Sequence, residues 1–389
     1  MKILIASESY HMMNGVAGVV TALVDTFRAC GHDVKVLGLS DTTSAKQQGD
    51  DYFIPSFPVP LYPDLRQSVA HRHRFVKRLI EWKPDIIHVH TEGSVADISR
   101  YISKKTGAPI VMTMHTDYTK FIFHSHDDTQ FAYYASKAWM ATVYRRATLM
   151  ITPSVKAKNI LKHYSPKHKV AVIPNGIKLD LFKPVPTEEE ISRLKERFQL
   201  DTTEKLLVCV SRLSKEKNIE EIIEFFPSLL EKEPKARLLI VGDGPDKAHL
   251  EKLVKDYGLS DSVKFSGRAG QNELYKYYKL GKAFVSASTF EMHSLTFLEA
   301  MACGLPLLCH DDPCLLDVLY EGENGFTFTD RESFTLNALK ILDDEELQKR
   351  LSDKSLENSK NFDDYTCAQR TLELYRHVID GNFDELCVD

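Results

Sequence analysis

Short apolar runs alternate with amphipathic segments along most of the chain. The runs are rich in β-branched residues, and the segments between them are long enough to form helices. This alternation is typical of βαβ units, in which a parallel sheet is covered on both faces. The predicted strands are residues 2–6, 34–39, 85–90, 110–114, 149–152, 170–173, 206–210, 236–241, 263–266, 283–287 and 307–309. The predicted helices are residues 18–30, 69–82, 219–230 and nearly all of 332–389.

The alternation is interrupted once, by the polar segment 178–204 with Pro184 and Pro186. Such a segment is typical of a linker, and the strand and helix pattern restarts after it. The sequence therefore predicts an α/β protein with two doubly wound domains. The expected divisions are 1–176, 177–365 and a helical tail, 366–389, that packs back toward the first domain. Ligand loops follow the carboxyl ends of parallel strands, so a binding cleft is expected between the domains.

Composition narrows the class of protein. Hydrophobic residues make up 43% and charged residues 27% of the 389 positions, which is typical of a soluble globular protein. No apolar run reaches the roughly 20 residues of a membrane span, and the first run is too short for a signal peptide. A cytoplasmic protein is therefore expected. The seven cysteines form no Cys-x-x-Cys pair, which favours reduced thiols without structural zinc.

The charge is unevenly distributed. Residues 1–170 hold 22 Lys and Arg against 14 Asp and Glu, whereas the whole chain has a net charge of −5. A basic N-terminal half favours an anionic partner such as a membrane surface, although it is also compatible with solubility alone. Within it, residues 71–80 form a basic amphipathic pattern that predicts a helix lying either on lipid or, by its apolar face, on the sheet. The aromatic segment 121–144 has the same two interpretations.

Two glutamates near the C-terminal third form the most specific pattern. Glu291 follows an apolar strand. Glu299, with seven residues between it and Glu291, lies in an Ala-rich helical run that stops at Gly304. A strand, a polar loop and a helix N-terminus in this order predict a phosphate site. Carboxylates beside such a site are suited to binding sugar hydroxyls, which indicates a nucleotide-sugar enzyme.

Other polar residues follow strands of the second domain. Arg212 and Lys217 come after the first of these strands, where two cations are suited to neutralising a leaving diphosphate. A solvated basic turn is the alternative. Gly242 and Gly244 end another strand as turn residues whose bare backbone would let a ligand approach, and Arg268 closes the next strand.

The first domain offers fewer candidates. Gly15 and Gly18 follow the first strand without forming Gly-x-Gly-x-x-Gly, so they predict either a phosphate turn or a plain helix start. His115 ends a strand and is a candidate for contact with a sugar hydroxyl, with a structural histidine as the alternative. His88 and His90 end the preceding strand and are interpreted as structural.

Taken together, these residues resemble the retaining glycosyltransferases of family 4, which have the GT-B fold. The resemblance includes Gly15, His115, the Arg212 and Lys217 pair and the two glutamates, and it covers nearly the whole chain. Within the family, the chain is most similar to bacterial diacylglycerol glucosyltransferases. Three short stretches contribute to this similarity. They are Pro63-Asp64-Leu65-Arg66, His115-Thr116-Asp117-Tyr118 and Thr289-Phe290-Glu291-Met292-His293-Ser294-Leu295-Thr296.

The resemblance implies two Rossmann-like domains that face each other across a cleft, and transfer of a hexose with retention of the α-configuration. It implies catalytic roles for His115, Arg212, Lys217 and Glu291, where the cations hold the diphosphate and Glu291 the hexose. The nucleotide and phosphates are implied to contact a further set of residues. These are Gly15, Val16, Gly242, Gly244, Arg268, Ser294, Leu295, Thr296 and, on the ribose, Glu299.

The implied donor is a UDP-sugar, and the implied acceptor is diacylglycerol at an anionic membrane surface, to which the protein would bind peripherally. No metal site, tightly bound cofactor or nucleic-acid partner is expected, although divalent cations are expected to stimulate activity non-specifically. Met292, His293 and Ser294 depart from the family pattern and are expected to set the donor sugar. A transferase for soluble acceptors is the alternative function, and a sugar-nucleotide epimerase is a weaker one.

Overall fold

The computed structural model describes residues 1–10, 15–59, 62–117, 130–201 and 203–382, without the side chains of 62–65, 130–133 and 136. The chain divides into two compact units. Unit 1 comprises Met1–Gly176 together with the residues from Asp364 onward, and unit 2 comprises Ile177–Asp363.

Strands in the described residues of unit 1 form one eight-stranded sheet and one hairpin. The strands are β1 (Lys2–Ala6), β2 (Asp33–Leu39), β3 (Lys46–Gln48), β4 (Asp51–Ile54), β5 (Phe57–Val59), β6 (Tyr62–Gln67), β7 (Ile86–Val89), β8 (Ile110–Thr113), β9 (Leu149–Thr152) and β10 (Val170–Val172). The order in the sheet is β10-β9-β8-β7-β1-β2-β4-β3, and β5 pairs with β6 in the hairpin. Among the described strands of this sheet, only β3 runs antiparallel to its neighbour. The sequence did not predict β3 to β6, which are short and lie between two longer elements.

Unit 2 contains a six-stranded sheet in its described residues, ordered β13-β12-β11-β14-β15-β16 and parallel throughout. Its strands are β11 (Lys205–Val210), β12 (Ala236–Val241), β13 (Val263–Gly267), β14 (Ala283–Ser286), β15 (Leu307–His310) and β16 (Gly325–Phe328). The first five were predicted to within two residues at each end. The sixth, β16, was not predicted, because a four-residue edge strand leaves little periodicity in the sequence.

Helices cover the sheets of both units. They are α1 (Gly15–Ala29), α2 (Arg74–Trp82), α3 (Ser94–Thr106), α4 (Gln130–Tyr144), α5 (Val155–Tyr164), α6 (Glu188–Phe198), α7 (Ile219–Lys232), α8 (Lys247–Asp256), α9 (Leu274–Tyr278), α10 (Leu295–Ala302), α11 (Arg331–Asp343), α12 (Glu345–Ser359) and α13 (Asp364–Ile379). None of the helices in the described residues has the length and apolar character needed to cross a membrane.

Two helix predictions need correction. The helix predicted over 69–82 begins only at Arg74, because the His73 ring accepts a hydrogen bond from the backbone N–H of Phe75 and caps the helix there. The nearly continuous helix predicted from residue 332 is divided into α11, α12 and α13. Asp344 ends α11 and caps α12 through its side chain, and a short 3-10 turn precedes α13.

The unit 2 core lies on both faces of its sheet. Along β11, Leu206, Val208 and Val210 pack into one cluster, whereas Leu207 and Cys209 pack into the other. Alternate residues of a strand point to opposite faces, so this strand is buried on both sides. This burial explains why residues 206–210 form a continuous apolar run.

The last helix, α13, belongs to the core of unit 1. Leu372 and Tyr375 pack with β1 residues such as Ile3, and the Tyr375 ring meets Phe27 edge-on at 5.7 Å. The chain therefore returns to unit 1 after completing unit 2.

Candidate functional site

Four loops at one edge of the unit 2 sheet carry most of the predicted donor-site residues. They follow the neighbouring strands β13, β12, β11 and β14 and contain Arg268, Gly242, Arg212 and Glu291, respectively. Parallel strands bring their carboxyl ends to the same edge, so residues up to 79 positions apart in the sequence lie on adjacent loops.

An ion pair joins two of these loops. Lys217 Nζ lies 2.5 Å from Glu291 Oε1, and the Ser288 hydroxyl donates to the same oxygen at 3.0 Å. The lysine and glutamate side chains are 24% and 14% exposed, so the pair is partly shielded but open to a ligand. Two residues that were predicted to act on the same substrate are thus in direct contact.

Asn218 shapes the loop that presents Lys217. Its φ of 50° lies in the left-handed region, which asparagine adopts more readily than most residues. It ends the 3-10 turn Lys215–Lys217, starts α7, and donates from Nδ2 to Glu221 at 2.7 Å. This turn directs Lys217 toward the β14 loop.

Gly242 and Gly244 pack against the Arg212 loop. A Cβ atom on Gly242 would lie 1.8 Å from the Ser211 carbonyl oxygen, and one on Gly244 would lie 2.2 Å from that of Leu213. Gly242 also has a φ of 148°. The bare backbone that the sequence assigned to ligand approach therefore also lies against a neighbouring loop, which by itself requires glycine at both positions.

The Arg212 side chain is exposed, and it forms no ion pair or hydrogen bond with the residues the structure describes. It is thus close in sequence to Lys217 without being bonded to the Lys217–Glu291 pair. Arg268 is exposed at the end of β13.

The helix that follows Glu291 begins at Leu295. Ser294 occupies the N-cap position, but its hydroxyl contacts the Thr296 hydroxyl at 3.0 Å and makes no capping bond. The N-terminus of α10 therefore lacks the usual side-chain cap, in an arrangement suited to an anion.

Glu299 lies further along the same helix. Its Oε2 accepts a hydrogen bond from the buried Tyr278 hydroxyl at 2.8 Å, and burial raises the pKa of the glutamate to about 7. Because Glu299 and Glu291 have different partners and no contact between them is formed in the described residues, they do not make an acid and base couple.

Three histidine rings form a stack at the edge of the unit 1 sheet. The His88 and His90 ring centroids are 3.9 Å apart, those of His90 and His115 are 5.3 Å apart, and His90 Nδ1 lies 3.0 Å from His115 Nε2. His88 is bonded to the Tyr375 hydroxyl and to that of Thr113. The sequence interpreted His88 and His90 as structural, and the contact of His90 with His115 was missed. The signal was present, because positions 88 and 90 share one face of a strand whose neighbour in the sheet leads to His115.

Burial keeps these rings neutral. It lowers the pKa of His88 to about 3 and that of His115 to about 4, and it lowers the pKa of His90 well below its usual value. The rings border a small cavity of about 30 Å³ that Thr113 and Asn175 also line. Unit 1 thus presents hydrogen-bonding groups without charge at this position.

The remaining unit 1 predictions are placed as follows. Gly15 starts α1 and Val16 is half-buried, whereas Asn14 and Tyr118 lie outside the described residues. Arg66 donates to the Ser40 carbonyl and the Ser56 hydroxyl, so it anchors the end of the β5–β6 hairpin.

The basic helix packs on its own unit. Phe75, Val76 and Leu79 of α2 are buried, whereas Lys77 and Arg78 are exposed. Of the two interpretations of this amphipathic pattern, packing of the apolar face is therefore correct, and the cations remain on the surface. The segment 121–123 with its two phenylalanines lies outside the described residues.

Two family models match the chain. Residues 13–181 match "Glycosyltransferase Family 4", and residues 190–357 match "Glycosyl transferases group 1". Together the matches account for most of both units. The chain therefore belongs to the family 4 glycosyltransferases, with the group 1 domain in its second half.

Curated relatives match the chain along its full length. It is 29% identical to the alpha-monoglucosyldiacylglycerol synthase of Acholeplasma laidlawii, over 99% of both chains. It is 28% identical to the protein of the same name from Streptococcus pneumoniae, over 99% of this chain and 88% of the relative.

Solved structures identify the fold. HepE of Anabaena, crystallised in complex with UDP, superimposes with a TM-score of 0.74 at 18% identity, over 97% of this chain and all of the other. The two parallel-sheet units are therefore those of the GT-B fold, as predicted.

Proposed function

We propose that this protein is a retaining hexosyltransferase that moves glucose from UDP-glucose to the free hydroxyl of 1,2-diacylglycerol, which gives an α-glucosyl glycolipid. The observation that carries the proposal is the Lys217–Glu291 ion pair, in which a cation and a carboxylate on adjoining loops of unit 2 are in contact.

The cations act on the leaving group. As the bond between the anomeric carbon and the phosphate oxygen breaks, negative charge grows on the diphosphate. Lys217 and the exposed Arg212 stabilise that charge, together with the N–H groups at the start of α10. On donor binding, Lys217 exchanges part of its contact with Glu291 for the phosphate, which leaves the carboxylate to accept from hexose hydroxyls.

The nucleotide is bound by the other loops. Glu299, oriented by Tyr278, accepts from the ribose hydroxyls, and backbone near Arg268 reads the base. Gly242 and Gly244 keep the intervening loop close to the Arg212 loop. Solved GT-B structures support a uridine nucleotide, since HepE was crystallised with both UDP and UDP-glucose.

The acceptor hydroxyl attacks the anomeric carbon on the face from which the diphosphate leaves. Its oxygen forms the new glycosidic bond, and its proton passes to the leaving phosphate oxygen. No enzyme nucleophile takes part, and the α-configuration is kept. His115 of unit 1 contacts the sugar near the reacting carbon as a neutral group.

The lipid acceptor is supported by the full-length similarity to two alpha-monoglucosyldiacylglycerol synthases. Because the apolar face of α2 is buried, contact of this region with a membrane would be electrostatic, through exposed cations such as Arg72, just before the helix, and Lys77 within it, on the cytoplasmic leaflet. Arg212 and Lys217 supply positive charge at the diphosphate, so divalent cations would stimulate the reaction without being required.

The test measures UDP release from UDP-glucose in the presence of vesicles that contain diacylglycerol and anionic lipid. Release that requires diacylglycerol, with an α-linked product by NMR, is expected. UDP release with soluble sugars but not with diacylglycerol would contradict the lipid acceptor and favour a soluble one. A β-linked product would contradict retention of the α-configuration.

A second test concerns the membrane. Replacing Arg72 and Lys77 by glutamate should reduce co-sedimentation with anionic vesicles, whereas the same charge change at Lys252 and Lys255 of unit 2 serves as the control. Equal loss in both variants would show that net charge, and not this helix, determines binding.

A further inference from the structure

His90 is the central ring of the unit 1 histidine stack. It is 1% exposed, and it contacts the ring of His88 and the ring of His115. His88 is fixed at both ring nitrogens, by Tyr375 and Thr113, and lies against the His90 ring at 3.9 Å. The orientation of His90 is thereby fixed from one side.

On the other side, His90 shares a hydrogen bond with His115. A neutral imidazole carries one N–H, so the 3.0 Å contact between His90 Nδ1 and His115 Nε2 holds a single proton. The proton belongs either to His90 Nδ1 or to His115 Nε2. Each choice fixes the tautomers of both rings.

The remaining nitrogen of His90 decides between the two. His90 Nε2 is buried and has no hydrogen-bond partner among the described residues. If Nε2 carried the proton, a buried N–H would be left without an acceptor, which is the rarer and more costly arrangement. The proton is therefore on Nδ1, and His90 donates to His115.

We propose that His90 is a positioning residue that fixes His115 in the tautomer with its proton on Nδ1. His115 Nε2 is then occupied as an acceptor, and Nδ1–H is left to donate. His115 makes no second hydrogen bond within the described residues. It therefore acts toward a substrate oxygen as a neutral hydrogen-bond donor and does not remove a proton. This last step rests on the proposed function, whereas the tautomer does not.

The tautomer is measured directly in the full-length protein. In protein labelled with ¹⁵N at histidine, long-range ¹H–¹⁵N correlation spectra distinguish a protonated from an unprotonated ring nitrogen, and the His115 signals are assigned by their loss in His115→Gln. The expected pattern is protonated Nδ1 and unprotonated Nε2. A wild-type protein with protonated His115 Nε2 would overturn the inference, whatever the reaction.

Two substitutions test the role of His90. His90→Phe keeps a ring in the stack but removes the donor, and we expect His115 to lose the Nδ1–H pattern and kcat to fall about tenfold, with KM for UDP-glucose nearly unchanged. His90→Asn places an amide N–H near the original Nδ1 and should restore both the pattern and most of the rate. Failure of Asn to restore either one, with Phe and Asn equally impaired, would show that His90 has a packing role only.

Folding and the proposed reaction are monitored separately. UDP-glucose binding by unit 2 and the thermal unfolding midpoint show whether each variant is folded. If the His115 pattern changes in His90→Phe while the transfer rate does not, the tautomer assignment stands and the assigned role of His115 in transfer is wrong. An unchanged His115 pattern in a folded His90→Phe protein contradicts the positioning role itself.

Discussion

The candidate groups of the two units differ in charge. In unit 2, Lys217 and Glu291 form an ion pair at the sheet edge, with 24% and 14% of their side chains exposed. In unit 1, His90 and His115 sit in a stack whose burial holds the pKa of each ring low, at about 4 for His115. One unit thus keeps charged groups, and the other keeps neutral ones.

The difference follows from the partners that each group has. A charge persists near a protein surface when an opposite charge and some solvent are available, whereas a buried ring without a carboxylate gives up its proton. Charged groups suit a diphosphate and neutral donors suit hydroxyl groups. Losses in unit 2 should therefore exceed losses in unit 1.

The largest effect is expected from Lys217→Ala. It removes a cation from the diphosphate and leaves Glu291 without its ion-pair partner, so kcat should fall about 100-fold to 1,000-fold. Initial rates of UDP release measure this. Lys215→Ala, in the same 3-10 turn but exposed, is the matched control and should retain its rate. Similar losses of activity in the two variants would contradict the role of Lys217 at the diphosphate.

Gly242→Ala should act through stability. The new Cβ meets the Ser211 carbonyl oxygen at 1.8 Å, and the φ of 148° is unfavourable for alanine, so we expect a loss of about 2 kcal/mol or more in the free energy of unfolding. Denaturant titration measures it. Gly270→Ala is the control and should change little, because φ is −69° and the added Cβ would have no described residue within 4 Å apart from its chain neighbours. A stable Gly242→Ala protein would disprove the loop contact.

A smaller effect is expected from His115→Ala, because a neutral hydrogen bond contributes about 1 kcal/mol. The value of kcat/KM should fall about tenfold or less. His71→Ala, at a half-buried histidine outside the stack, serves as the control. If His115→Ala lost as much activity as Lys217→Ala, the contrast between charged and neutral sites would be wrong.

The smallest effect concerns pH. Burial raises the pKa of Glu299 to about 7, and ribose hydroxyls donate better to its ionised form. Affinity for UDP-glucose should therefore rise a few-fold from pH 6 to pH 8, since ligand binding favours loss of the proton. Calorimetry measures it, and the dependence should disappear in Glu299→Gln. An affinity that falls with pH in the wild type would contradict the assignment.

The raised pKa of Glu299 can also be tested without a ligand, through the stability of the folded protein. A carboxyl whose pKa is higher in the folded than in the unfolded chain makes the folded state less stable as pH rises between the two values. Glu299→Gln should therefore raise the unfolding midpoint at pH 8 more than at pH 5. Equal shifts at both pH values would show that the carboxyl is not responsible.

Much of the fold could be predicted because burial on both faces leaves a clear signal. Strands such as β1, β9 and β12 are short and mainly apolar, and their predicted bounds are confirmed. The starts of helices were less predictable. His73 caps the start of α2 through a ring nitrogen, and such a cap is not distinguishable in the sequence from an ordinary basic residue.

The sequence by itself determined the class of protein, since the order of strands, the two glutamates and the two cations indicate a family 4 glycosyltransferase. It also placed the candidate donor residues after the correct strands. These features are local, because each depends on residue type and on spacing along one loop or strand.

Only the tertiary structure decided which groups meet. Lys217 is 74 positions from Glu291, and His90 is 25 from His115, yet each pair is in hydrogen-bond contact. Parallel strand order sets those distances, and burial then decides which groups keep their charge. Both depend on neighbours contributed by distant parts of the chain, and that is why spacing along the sequence could not supply them.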